Sequence, residues 1–231
     1  MPITTVGLDA DDTLWHNERI FKLTYQRFNA LLAPYADAGT LDARLALTER
    51  RNLAVYGYGA KGFTLSMLET ALEVSGGDVP ASVIGEILAA GREMMTHPVE
   101  PLPGVHAALE ALAADYRLIL VTKGDLFHQE TKLAASGLGA FFAGVEIVSE
   151  KSAETYRTVF SRHGAGAHQA AMAGNSVRSD ILPALEAGSY AALIPYPLIW
   201  ENEAAAAPAG HPRFRELASL AELPGWLSEI G

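Results

Sequence analysis

Residues 3–8 carry no charge and read as a short strand buried on both faces; the run then breaks into Asp9-Ala10-Asp11-Asp12. Beyond Trp15 the period lengthens. Ile20, Leu23, Phe28, Leu31 and Leu32 recur at helical spacing, with Arg19, Lys22 and Arg27 between them, as far as Pro34. Further helices are expected over 41–55, 63–74 and 81–95, the middle one stopped by Gly76-Gly77 and the last by Pro98. Four amphipathic helices on short connections predict a small bundle.

From Pro101 strand and helix alternate: helix 104–114, strand 117–122, helix 126–136, strand 144–148, helix 152–163, strand 170–174, helix 177–188 and strand 190–194. Apolar strands separated by helices indicate a parallel sheet covered on both faces. The strand at 3–8 belongs with them, which makes the bundle an insertion. The expected fold class is α/β, a doubly wound parallel-sheet (Rossmann-like) core with a small inserted α-helical bundle. Its expected boundaries are 1–16 and 97–231 for the core and 17–96 for the helical cap. Residues 203–210, rich in alanine, read as a surface connector, and a short helix near 218–230 closes the chain.

At 231 residues and 49% hydrophobic content the chain can bury a substantial core. It shows neither a membrane-length apolar run nor a basic-then-apolar leader, so a cytoplasmic protein is expected. Without cysteine it has no disulfide, thiolate ligand or thiol nucleophile. A net charge of -10 argues against nucleic-acid and anionic-membrane partners, and requires any phosphate site to be rescued locally by a cation or by backbone N–H groups.

In open parallel sheets ligands gather beyond the carboxyl ends of the strands, so those ends are where chemistry is sought. On an extended chain Asp9 and Asp11 would project to one side, and carboxylates held that close share a proton or recruit a hard cation such as Mg2+. An Asp so placed can also be a covalent nucleophile. Helix capping accounts for one of the three acids but not for all. A calcium loop counted from Asp9 would need an acid, a glycine and a glutamate where Thr13, Leu14 and Ile20 stand. The next core strand ends in Thr122-Lys123-Gly124, a hydroxyl, a cation and a flexible backbone suited to phosphate. Lys151 opens a helix, an electrostatically poor place for a cation unless an anion is near. The strand at 170–174 runs into Gly174-Asn175-Ser176 and on to Asp180.

Asp9-x-Asp11-x-Thr13, Thr122, Lys151 and Gly174-Asn175-Ser176 with Asp180 resemble, in order and spacing, the four motifs of the haloacid dehalogenase superfamily, and the inserted helices resemble its helical cap. The resemblance implies a hydrolase in which Asp9 is phosphorylated and Asp11 protonates the leaving oxygen and then activates water. Thr122 and Lys151 would hold the phosphoryl group with Lys123 and Gly124 beside it, and Mg2+ would be bound by Asp9, Asp11 through its backbone carbonyl and Asn175, with Asp180 supporting the metal site. The implied partner is a small phosphorylated metabolite, acted on by a monomer or homodimer. The motif commonly begins Gly-Asp, whereas this chain has Gly174-Asn175, which removes a negative charge and should weaken the metal. A 2-haloacid dehalogenase, a phosphomutase and a weakly catalytic phosphometabolite- or partner-binding protein are the alternatives. Asp11 favours phosphate-ester hydrolysis, since a halide needs no proton.

Gly57-x-Gly59-x-x-Gly62 matches a dinucleotide string but follows a helix, so it reads as a turn in the bundle; Tyr56, Tyr58 and Lys61 could meet a substrate there. The seven histidines show no ligand pairing.

Overall fold

The computed structural model describes residues 2–200 and 203–231. Strands β1 (Thr5–Leu8), β2 (Arg117–Lys123), β3 (Gly144–Val148), β4 (Ala170–Gly174), β5 (Tyr190–Leu193) and β6 (Phe214–Glu216) form one parallel sheet in the order β3-β2-β1-β4-β5-β6. This is the doubly wound order. β1 lies between β2 and β4, with Leu8 opposite Leu120 and Ala173, so the chain leaving β1 emerges where strand order reverses.

Period-2 alternation decides what covers each face. Leu118 and Leu120 point with Val6 and Leu8 toward Val105, Leu109 and Leu112 of helix α5 (Val105–Asp115) and toward Trp226 and Leu227 of the closing C-terminal helix (Leu223–Ile230). Ile119, Val121 and Met172 point the other way, toward Tyr156, Val159 and Phe160 of a helix spanning Ala153–His163. At Gly7 a Cβ would stand 2.9 Å from the Met172 sulfur and 3.2 Å from the Phe160 ring, so glycine is what lets these side chains close over β1.

The helices expected after Trp15 are α1 (Glu18–Leu32), α2 (Ala38–Tyr56), α3 (Ala60–Val74) and α4 (Ala81–Thr96). They share a core of Phe28, Leu32, Leu41, Leu45, Phe63, Met67, Ile87 and Met94. Asp37 caps α2 by accepting from the Thr40 N–H at 3.0 Å. Gly57 and Gly59, both with positive φ, turn the chain between α2 and α3, so the dinucleotide-like string is a helix–helix turn.

The chain divides into two compact units, Met1–Glu18, Val99–Lys123 and Gln129–Gly231 in one, and Arg19–Pro98 with Gly124–His128 in the other. Lys61 pairs with Asp125 at 2.9 Å within the second, which also takes in the first residues of helix α6 (Leu126–Ser136). Helix α7 is the Ala153–His163 segment named above. The helix expected over 177–188 is in fact a π-turn, Val177–Ile181, followed by α8 (Leu182–Ala187), and α9 is the Leu223–Ile230 helix, shorter than expected. The strand β6 was not expected. No helix among the described residues is long and apolar enough to cross a membrane.

Candidate active site

The strand period ends at Leu8, so Asp9 and Asp11 are not set by the alternation of an extended chain. The Asp9 N–H still donates to the Ala173 carbonyl at 2.9 Å, but the chain then turns so tightly that Asp12 takes φ 62°, a left-handed conformation that Asp tolerates better than most residues. The three acids part company. Asp12 is the helix cap, accepting from the N–H groups of Asn17 at 2.8 Å and Glu18 at 3.0 Å at the start of α1.

Asp9 is buried, and its Oδ1 accepts from the Lys151 ammonium, which also donates to Asp180 Oδ1 at 2.6 Å. Thr13 donates to Asp9 Oδ2 at 3.0 Å. Burial pushes the Asp9 carboxyl upward against the attraction of Lys151. Burial would lower Lys151, but Asp180 and Asp9 more than offset it, so the ammonium stays charged. Asp180 is locked from behind, with the Ser176 N–H donating to its Oδ2 at 2.9 Å. Two carboxylates on one buried ammonium leave a residual negative charge, and removing one partner of such a group costs about 3–5 kcal/mol.

Asp11 sits on separate donors. Trp15 Nε1 donates to Oδ1 at 2.7 Å, Lys132 Nζ to Oδ1 at 2.5 Å and Gln129 Nε2 to Oδ2 at 3.2 Å. Burial raises its carboxyl, yet Lys132 and these hydrogen bonds bring it below the ordinary value. Gln129 also donates to Thr122 Oγ1 at 2.6 Å, tying the hydroxyl at the end of β2 to Asp11. Neither Gln129 nor Lys132 was expected from the sequence.

The remaining expected residues divide. Lys123, expected near substrate, instead gives its ammonium to Glu203 at 2.7 Å, Ser179 at 2.8 Å and Glu150 at 3.4 Å. Glu203, read as part of a surface connector, also accepts from Ser176 and Ser179. Gly124 falls in the helical unit with φ 131°. Asp180, expected to support a metal from behind its ligands, is bonded to Lys151 and Ser176.

Asn175 meets both parts of the site. Its side-chain amide group lies 3.2 Å from Asp9 Oδ2 and 3.3 Å from the Asp11 carbonyl oxygen. With nitrogen inward it donates to both; with oxygen inward it adds an amide oxygen beside a carboxylate and a carbonyl oxygen, a donor set of the kind that suits Mg2+. Among the described residues no group of three or more His, Cys, Asp or Glu is placed to hold a metal, and this set needs none, because it combines a carboxylate, a carbonyl and an amide. The residues present therefore fit the ion that the sequence resemblance implies.

The family model described as haloacid dehalogenase-like hydrolase matches residues 3–188. No curated protein matches the chain. Among solved structures, a haloacid dehalogenase-like family hydrolase from Xanthomonas campestris is 40% identical, with a TM-score of 0.88, over 99% of this chain and 96% of that one. The HAD hydrolase YfnB of Bacillus subtilis, bound to magnesium, shares the fold at 18% identity and TM-score 0.67, covering 98% of this chain and 99% of its own. A 2-haloacid dehalogenase from Pseudomonas syringae does so at 21% and 0.65, covering 99% and 100%. A strand-end aspartate paired with a buried lysine, in a sheet of this order, thus accompanies a family match over most of the sequence, and the chain belongs to the haloacid dehalogenase-like hydrolases.

Proposed function

We propose that the protein is a Mg2+-dependent phosphatase that hydrolyses a small phosphomonoester through an aspartyl-phosphate on Asp9. The observation that carries this reading is the Asp11 carboxylate, held by Trp15, Lys132 and Gln129 two residues beyond the nucleophile. Displacement of halide from carbon releases an anion that needs no proton, whereas an alkoxide leaves only with one, so a second placed carboxyl is of use to ester hydrolysis.

Asp9 Oδ attacks phosphorus; the new O–P bond forms as the ester P–O bond breaks, and Asp11, which must first take up a proton against the pull of Lys132, passes it to the departing oxygen. Asp11, now ionised, takes a proton from water as that water attacks the phosphorus of the acyl-phosphate, releasing inorganic phosphate and restoring the Asp9 carboxylate. Lys151 offsets the repulsion between Asp9 and an anionic substrate, and the Thr122 hydroxyl donates to a phosphoryl oxygen, the kind of placed charge and donor on which phosphoryl transfer depends. Mg2+ held by Asp9 Oδ2, the Asp11 carbonyl and Asn175 Oδ1 would shield nucleophile and substrate from one another. The magnesium reported for the B. subtilis relative supports that choice of ion.

The test is phosphate release from a panel of phosphorylated metabolites, with and without Mg2+. Wild type is expected to turn over at least one, and Asp9→Asn to lose about 10⁴-fold or more. Halide release from a 2-haloacid without phosphate release from any ester would overturn the reading.

A further inference from the structure

Helix α6 presents two long polar side chains inward. Gln129 is 3% exposed and Lys132 9%, although Leu126 and Phe127 on the same helix are exposed. Spaced three residues apart, they lie on one face, and a lysine is seldom buried without a partner. Lys132 Nζ reaches Asp11 Oδ1 at 2.5 Å and Asn17 Oδ1 at 3.2 Å. Gln129 Nε2 has two protons for three acceptors, Thr122 Oγ1 at 2.6 Å, the Lys123 carbonyl at 2.8 Å and, most weakly, Asp11 Oδ2 at 3.2 Å.

The consequence is directional. A threonine hydroxyl has one proton and two lone pairs. Gln129 occupies a lone pair of Thr122, and the proton reaches the Lys123 carbonyl only at 3.3 Å, a long contact that a phosphoryl oxygen would outcompete. On Asp11, Oδ1 accepts from both Trp15 and Lys132 at close range, while Oδ2 accepts only the longer bond from Gln129. Oδ2 is therefore the less constrained of the two oxygens.

We propose that Gln129 and Lys132 are positioning residues: from one face of α6 they orient the Thr122 hydroxyl and fix the Asp11 carboxylate by its Oδ1, without themselves touching substrate. The catalytic consequence rests on the phosphatase reading above; the placing of Asp11 does not.

The test uses the full chain, an alkyl phosphate and p-nitrophenyl phosphate, because an alkoxide must be protonated to leave and a nitrophenolate need not be. Lys132→Met is expected to lower kcat on the alkyl phosphate by about tenfold more than on the aryl phosphate, with KM little changed, and Lys132→Arg to recover most of the loss. Gln129→Leu is expected to raise KM for both esters alike. Equal losses of kcat on the two esters from Lys132→Met, or none, overturn the role of Lys132, and an unchanged KM in Gln129→Leu overturns that of Gln129.

A second readout needs no activity: the indole N–H resonance of Trp15, which reports its bond to Asp11. Lys132→Met is expected to shift it and speed its solvent exchange, with Trp226 unmoved and Lys132→Arg close to wild type. An unmoved Trp15 resonance overturns the placing of Asp11. Should Lys132→Met not fold, Lys132→Gln carries the same comparisons. A wild type silent on every ester would sink the phosphatase reading alone, leaving the resonance to decide the positioning claim.

Discussion

Asp180 can tuck behind β4 only because residue 174 has no side chain: a Cβ there would stand 2.2 Å from Asp180 Oδ2 and 2.8 Å from its Cβ. Gly174→Ala should therefore drive Asp180 off the Ser176 N–H and off Lys151, leaving a buried ammonium with one carboxylate fewer. The expected loss in denaturant unfolding is about 2–4 kcal/mol, with reduced turnover; a loss below about 1 kcal/mol would show that the loop relaxes around the methyl group. At this scale the sequence revealed those residues that interrupt an apolar strand end. Asp9, Thr122 and Asn175 stand out because a polar side chain at that place has no packing reason, and Lys151 because a helix start disfavours it. Gln129 and Lys132 were hidden because polar residues on a helix are normally solvated, and Glu203 because an alanine-rich tract suggests nothing to bind.

Among the elements, α2 carries a carboxyl in the wrong environment. Glu49 is half-buried beside the Tyr25–Asp42 hydrogen bond of the bundle, and burial pushes it from 4.5 to about 7. A folded-state carboxyl raised in this way binds its proton more tightly than the unfolded chain does, so its stabilising contribution is full below about 4.5 and is lost as pH rises through about 7. Glu49→Gln removes that dependence. Urea midpoints for the two proteins should converge near pH 4 and separate in favour of the variant near pH 8; parallel curves would mean the carboxyl is solvated. Element type was readable throughout this region because the helices are long and strongly periodic. The π-turn at Val177–Ile181 was not, since one extra residue in a turn leaves the apolar spacing almost unchanged, and Phe214–Glu216 is too short and too charged to register as a strand.

Across the whole molecule, the sheet gathers segments that lie far apart in the chain. Asp9 follows β1, Thr122 closes β2, Lys151 follows β3 and Asn175 follows β4, all at the carboxyl edge of a parallel sheet whose order was implied by strand–helix alternation. That convergence was legible because a parallel sheet leaves its strand ends on one side whatever the sequence separation. How Asp11 gathers its donors was not, because that depends on Gln129 and Lys132 arriving from α6. The central claim, that this convergence makes Asp9 a phosphoryl acceptor, is tested most directly by acid-quenching the enzyme during turnover of a phosphomonoester with Mg2+ and mapping the phosphoryl group by peptide mass spectrometry. The account predicts it on the peptide bearing Asp9, accumulating further in Asp11→Asn, which cannot activate water. Turnover with no phosphoryl group on that peptide, or labelling that survives Asp9→Asn, would contradict it.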